Sequence, residues 1–378
     1  MKTKKIIISA AILMMAVLFQ NCKKTEVENP TTDSGILPSK FRVEIPNSLS
    51  QAASTKKSAS LLKSTQADTI KGDGIYQNLN TFIFIGDAAG HLVENIIGAI
   101  TLYHINKPMV LSYESGDDHR TKNLVVIENA EYNSKSYKYE LTITDALSES
   151  QADGGKAMQI FWNTSPINGI AILKPYNIDR IKNPDAINEV FRIEYSEIPT
   201  DTYDSHMVVE IAGIPLPEAQ PFAISSLKMY VGKKANRVDV YGNSVHPNAT
   251  LFTQSKGFDW AFVASSFTDK NIAVAEVGLP PYTLDNDTRK VLLEDYSIKS
   301  VLTEQINKWF LATYGMQPDS TQLSKYLKDA DAPGFFTHQG FVQSGTAPNS
   351  NYEPLASQIK LLTPFNPKSV NELSLSFK

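Results

Sequence analysis

Cysteine is nearly absent: Cys22 is the only one in 378 residues. An internal disulfide is therefore excluded, and the fold must hold by its core. An excess of charge of either sign is also missing. Thirty-six Lys and Arg stand against 40 Asp and Glu, for a net charge of −4. Residues 1–21 hold three lysines and no acid, so without them the charge would be about −7. A mildly acidic chain lacks the electrostatic footprint of a nucleic-acid binder, and Lys233, Lys234 and Arg237 read as a solvated turn. Local catalytic signatures are missing as well. There is no G-x-S-x-G elbow, no H-E-x-x-H zinc pair and no G-x-x-x-x-G-K phosphate loop. No cofactor is implied, and no internal repeat stands out.

What is present supports a folded protein. Hydrophobic residues make up 42% of the chain and aromatics 10%, enough for one large domain or two moderate ones. The N-terminus has the three parts of an export signal. Lys2, Lys4 and Lys5 form a positive head, Ile6–Phe19 an apolar run broken only by Ser9, and Gln20 and Asn21 a polar end before Cys22. The run is about 14 residues, short of the ~20 a bilayer-crossing helix needs, which suits a removable signal.

A cysteine directly after such a run resembles the acylated cysteine of bacterial lipoproteins of Bacteroidota-like type. The usual box is Leu, two small residues and Cys. Here Phe19 substitutes acceptably for Leu, while Gln20 and Asn21 depart from the pattern. The resemblance covers the leader alone. It implies removal of residues 1–21, palmitate-type acylation of Cys22, attachment to a membrane and a place in the bacterial cell envelope, at the outer membrane. It also argues against a cysteine nucleophile, because acylation would consume Cys22.

Residues 22–70 read as the acylated cysteine and a flexible tether, with a spacer of about 45 residues that would hold the body clear of the membrane. Within it, Lys40–Ile45 alternates briefly, as a small strand would. Residues 71–280 read as a helix followed by a strand-rich domain. Gly74–Ile100 carries the helix, with apolar residues from Ile75 to Ile100 at helical spacing. Gly86 and Gly90 mark either a break or a close-packing face.

Eleven short strands follow: Val110–Glu114, Leu124–Glu128, Tyr137–Thr144, Ala157–Trp162, Ile170–Leu173, Val190–Tyr195, His206–Ile211, Ile224–Val231, Val238–Tyr241, Trp260–Val263 and Ile272–Val277. Dense strands without intervening helices imply antiparallel pairing. Alternation puts Tyr137, Tyr139, Leu141 and Ile143 on one face, and Phe191, Ile193 and Tyr195 together. A short helix is expected from Asp179 or Asn183.

Residues 281–378 read as a helical C-terminal subdomain packed on the sheet. Its main helix is Arg289–Ala312, with Asp295–Lys299 and Glu304–Lys308 as four-residue ion pairs and Gly315 as the stop. Asp319 or Ser320 caps a shorter helix through Leu327, and Leu373–Phe377 is a possible closing strand. The expected class is α+β: a curved antiparallel sheet or half-barrel packed by N-terminal and C-terminal helices.

Candidates for chemistry are sparse. Asp117, Asp118 and His119 form the densest cluster, and Asp201, Asp204 and His206 approach a strand from another loop. If the two sets converged they could serve a hydrolase or a metal. Otherwise they decorate exposed turns. His91 and Glu94 share a helix side but lack the repeated partners of a carboxylate-bridged metal site. Asp329 and Asp331 lack the rest of an EF-hand, as does Asn286–Asp287. Asp153–Lys156 reads as a hairpin turn. The aromatics Phe161, Trp162, Tyr230, Tyr241, Trp260, Phe262, Trp309, Phe310, Phe335 and Phe336 either fill the core or line a concavity for a lipid, glycan or peptide.

The leading expectation is a noncatalytic envelope lipoprotein, anchored to the membrane and binding a hydrophobic ligand, a glycan, another envelope component or a partner protein. The alternatives are a structural or assembly lipoprotein and an exported hydrolase using dispersed Asp and His residues. An enzyme is neither required nor excluded.

Overall fold

The computed structural model describes residues 35–50, 72–101, 103–216, 223–250 and 256–378. The leader, Cys22 and part of the expected tether lie outside them. The first long element is a 30-residue helix, α1 (Gly72–Thr101). Thirteen strands follow among the described residues: β1 (Met109–Glu114), β2 (Thr121–Tyr132), β3 (Lys135–Asp145), β4 (Lys156–Thr164), β5 (Ile167–Leu173), β6 (Val190–Ser196), β7 (Ser205–Ala212), β8 (Ser226–Lys234), β9 (Arg237–Thr250), β10 (Lys256–Phe267), β11 (Ile272–Gly278), β12 (Gly334–Thr337) and β13 (Gly340–Ser344). Each pairs antiparallel with its chain neighbours in a single meander.

The antiparallel sheet and its flanking helices match expectation, but the half-barrel does not. The sheet is open, neither curled nor closed, and β1 and β13 are its two edges. Two features account for this. A 30-residue helix is about 45 Å long, approaching the ~58 Å spanned by thirteen strands at ~4.8 Å spacing. It begins against β12 and β13, where Tyr76 meets Phe336 and stacks on Phe341 at 5.4 Å. The loop just beyond its far end reaches β1, where Tyr103 meets Tyr113. Secondly, the C-terminal elements cover the opposite face of β10–β12, so that part of the sheet is buried on both sides without wrapping on itself.

The main core lies between α1 and the inner face. Leu79, Ile83 and Val93 of the helix meet Ile160, Ile193, Val209, Met229 and Phe262 of the strands. The two glycines mark close packing, not a break. A Cβ on Gly86 would lie 2.4 Å from Met229 Cε, and one on Gly90 would lie 3.1 Å from Arg42 Cβ.

Residues 35–50, expected within the flexible tether, belong to this core. Phe41, Val43, Ile45 and Leu49 are buried, because alternation in KFRVEI presents an apolar row to the sheet. Trp162 Nε1 donates to Ile36 O at 2.8 Å and Ser48 Oγ lies 2.9 Å from Ser266 Oγ. Glu94 holds the segment from the helix side, accepting from Phe41 N–H at 2.9 Å and from Arg42 Nε at 2.8 Å.

All eleven expected strands form. Phe191, Ile193 and Tyr195 share the inner face as expected. Tyr139, Leu141 and Ile143 do so too, but Tyr137 joins an outer-face cluster with Ala130, Phe161, Ile170 and Ile172. The β2–β3 ladder skips Asn129, which has φ 58°, and such an irregularity re-aims side chains. The expected helix near Asp179 is instead the single turn α2 (Pro175–Ile178), opened by a proline at its first position.

The tail is less separate than a helical subdomain, because β12 and β13 complete the sheet. The expected helix Arg289–Ala312 is split. A π-helical turn spans Lys290–Asp295, and α3 (Ile298–Tyr314) restarts after the N-cap Ser297. Lys299 consequently pairs with Asp331 at 2.7 Å, while Glu304 and Lys308 pair as expected. Gly315 closes α3 at φ 69°. Asp319 and Gln322 form a capping box on α4 (Ser320–Tyr326).

Helix α5 (Glu353–Ile359) and the π-helical turn cover the outer face of β10–β12, through Leu292, Leu293, Leu355 and Ile359 on Ala261, Val263, Val274 and Phe335. Helix α6 (Pro367–Asn371) lies over β8 and β9, where Ser226 Oγ donates to Val370 O at 3.0 Å. Leu373–Phe377 forms no strand. The chain crosses the outer face as a strap and ends on β3 and β4, with Lys378 Nζ bonded to Glu140 and its N–H to Gln159, each at 2.9 Å.

Candidate functional site

The two Asp/His sets do not converge. Lys122 pairs with Asp145 at one end of β2 and β3. The ladder carries that end through Met158, Leu173 and Phe191 to Ile211 on β7. His206, near the start of β7, is five residues from Ile211, or about 17 Å along the strand at ~3.4 Å per residue, and five strand intervals separate β2 from β7, adding ~24 Å. Asp117 is exposed on Lys182 at 2.6 Å, and His119 lies 3.3 Å from Glu114 on the surface. Asp204 accepts from Lys234 at 2.8 Å and from Ala235 N–H at 2.9 Å, as a turn residue does. Asp201 is exposed.

Asp118 is buried for a structural reason. Lys122 Nζ donates to Asp118 and Asp145 at 3.0 Å each and to Asn177 O at 2.9 Å, using all three of its protons. Arg120 clamps Asp145 with two bonds, at 2.5 and 2.6 Å. Burial alone would raise both carboxyls, but these cations hold each below the ordinary aspartate range. The cluster ties the β1–β2 and β3–β4 connections to α2 and uses all three Lys122 protons within the fold.

The remaining candidates also have local roles. Glu94 fastens residues 41–42, and His91 lies 3.7 Å from Asp87. Asp153 accepts from Gly155 N–H at 2.9 Å, and Gly154 and Gly155 sit at φ 64° and 67°, so this segment is a turn. Asp331 binds Lys299, and Asn286 caps Thr288. No group of three metal-ligating side chains occurs among the described residues. Ser244 and His246 lie 2.9 Å apart on β9, yet both are fully buried beside Phe82 and Trp260, where a substrate has no approach.

One surface does bring distinctive side chains together. On the outer face, Glu194, Val208, Tyr230 and Tyr241 are direct cross-strand partners on β6 to β9. All four are half-exposed. The same row continues on either side into covered residues. Phe161 and Ile170 lie under the C-terminal strap, and Val263 lies under α5. The four open positions form a window about 14 Å wide, three strand intervals at ~4.8 Å.

Within the window the rings stack in sequence. His206 lies on Tyr230 at 5.8 Å and 9°, Tyr230 on Tyr241 at 4.8 Å and 14°, and Phe365 closes the row at 5.6 Å. Rings on neighbouring strands at strand spacing stack face to face along the row. Burial pushes the Tyr241 hydroxyl up to about 12 and raises Tyr230 as well, so both are neutral donors at physiological pH. Burial lowers His206 despite the nearby Glu194 carboxylate, which keeps the ring neutral. Tyr203 sits behind the row, its hydroxyl 3.2 Å from Asp239.

Beside the rings the charges are paired. Arg192 meets Glu210 at 2.5 Å and Glu194 at 3.2 Å, and Lys228 meets Glu210 at 2.9 Å. Lys228 Nζ also lies 4.8 Å over the Phe365 ring. Burial would raise Glu210, but Lys228 and Arg192 hold it below the usual glutamate range.

The sequence picked out His206, Tyr230 and Tyr241 separately. It missed Arg192, Glu194, Val208, Glu210, Lys228 and Phe365. For the strand residues the available signal was outward alternation in FRIEY, HMVVE and LKMYV. Phe365 had none, because it arrives from the tail. Comparison with known proteins returned no matching family model, no matching curated protein and no matching solved structure.

Proposed function

We propose that this chain is a noncatalytic lipoprotein of the bacterial cell envelope, anchored through acylated Cys22, that binds an envelope component or partner protein on the outer face of β6–β9. The observation that carries the binding reading is the half-exposed Glu194–Val208–Tyr230–Tyr241 row, left open between two covered regions of the same face. Aromatic residues with a polar edge and an apolar flank suit recognition, because they contribute contact area at small entropic cost. The leader supports the anchor. The continuous core between α1 and the sheet counts against an internal hydrophobic ligand.

A photo-crosslinking residue at Val208 is expected to give one discrete adduct in intact cells. Tyr230→Ser with Tyr241→Ser should abolish that adduct while leaving the melting temperature nearly unchanged. No adduct, or one indifferent to both tyrosines, would refute the binding face. Replacement of Cys22 by Ser should release the protein from membranes, and unchanged attachment would refute the anchor.

A further inference from the structure

We infer that the corner of the body around Ile105, at the β1 edge of the sheet, rests on the lipid surface to which Cys22 is attached. The inference builds on the anchor proposed above. Chain length carries it. Gly35 is held beside this corner: Ile36 N–H donates to Ile105 O at 3.3 Å, and Ile36 O accepts from Trp162 on β4, three strand intervals or ~14 Å from β1. Thirteen residue steps separate Cys22 from Gly35, and a chain of that length reaches at most ~45 Å even when fully extended. An acyl chain at Cys22 thus keeps this corner near lipid at high effective concentration, where weak contacts suffice.

The side chains at the corner suit an interface. Tyr103 is 42% exposed and packs on Tyr113 at 5.4 Å. Val110 is 74% exposed, and Ile127, on the adjoining strand, is 42% exposed. Val110 pairs with Val125, two residues from Ile127, so this apolar pair lies on the outer face of the edge, whereas Tyr103 packs on Tyr113 on the core side; the two sets flank β1, and it is the edge itself that meets the surface. Lys107 is exposed in the same loop and can reach phosphate groups. Exposed tyrosine, short apolar side chains and a lysine are residue types that suit a membrane-interface surface. The opposite edge, β13, receives no such confinement from the anchor.

The test uses the full acylated chain in vesicles of equal parts phosphatidylethanolamine and phosphatidylglycerol. Because acylation blocks Cys22, a fluorophore can be placed on Asn106→Cys, or on Gln339→Cys at the opposite edge as a control. Nitroxide-bearing lipid is expected to quench the label at 106 and to leave that at 339 bright. Tyr103→Ser with Val110→Ser should abolish quenching at 106 without detaching the protein. Equal quenching at both sites, none at 106, or quenching at 106 that survives the double substitution would overturn the inference while the anchor stands. Mass spectrometry reads the anchor separately, and an unacylated Cys22 in membrane-extracted protein would overturn both.

Discussion

Glu189 sits just before β6 with 7% of its surface exposed. Burial alone pushes its carboxyl up to about 7, with no neighbouring charge or hydrogen bond opposing. An unfolded-chain glutamate titrates near ~4.3. Between those values the folded protein keeps a proton that the unfolded chain has released. Stability therefore falls as pH rises through this window, by about 1.4 kcal/mol per pH unit, and levels off above pH ~7. The full cost of ionising Glu189 is about 4 kcal/mol by that arithmetic. Below pH ~4.3 it vanishes, since both states are protonated.

Glu189→Gln removes the titration and keeps the shape. Urea unfolding of the Cys22→Ser chain, with and without the substitution, should show the glutamine variant more stable by up to about 4 kcal/mol at pH 8, with the difference shrinking toward pH ~4. A constant offset could arise if the new amide lacks a partner, at about 1–3 kcal/mol. The informative quantity is accordingly the slope of the difference with pH. A difference that is flat across pH, or that grows in favour of glutamate as pH rises, would refute the reasoning, because it would mean the ionised carboxylate is solvated or paired.

Two further outcomes follow from the buried polar contacts. Lys122→Met strands the buried Asp118 carboxylate and takes one cation from Asp145, which Arg120 still clamps, and should cost about 3 kcal/mol. Both aspartates are held below the ordinary range, so their stabilisation is present above pH ~3.9 and is lost as pH falls through their lowered values. The variant's acid unfolding limb should therefore be shallower than that of the unsubstituted chain in a pH-jump series. Glu94→Ala leaves Phe41 N–H without its acceptor and Arg42 without its nearer carboxylate. Hydrogen exchange by mass spectrometry should show faster exchange in residues 40–45, with a global cost of about 1–3 kcal/mol.

The strands were legible because they alternate. FRIEY and YELTI present apolar residues at every second position, and a sheet with one face on a core needs that pattern. Where the pattern was broken, reading failed. Tyr137 obeys the alternation in sequence, but the ladder skips the adjoining Asn129–Lys138 pair, and a positive φ on another strand leaves no mark near Tyr137. Strand β12 has four residues, GFFT, too few for a period, and Phe335 and Phe336 face opposite sides because covers lie on both. Helix α1 was legible in full, and its glycines needed the partner before their role could be read: Met229 and Arg42 lie 143 and 48 residues away from Gly86 and Gly90. The binding window was illegible for the same reason. Its members are neighbours only through three hairpin registers and a tail that returns from residue 365.

The packing of residues 35–50 changes what an anchor at Cys22 would do. A spacer of about 45 residues would let the body roam through ~150 Å. Fastening the chain at Ile36, Phe41 and Arg42 leaves twelve residues between Cys22 and Gly35, and the reach falls to ~45 Å. That is less than the ~58 Å width of the sheet, so the two edges of the body are no longer equivalent with respect to the membrane. With such an anchor the β1 edge would stay close to the membrane, and any partner of the β6–β9 window would approach only from directions this leaves open. Glu94 is the helix-side grip on residues 41–42. Loosening it in Glu94→Ala should speed exchange in residues 40–45 while leaving the reach unchanged, because Ile105 and Trp162 still hold Ile36, and crosslinking from Val208 should therefore stay as it is in the unsubstituted chain.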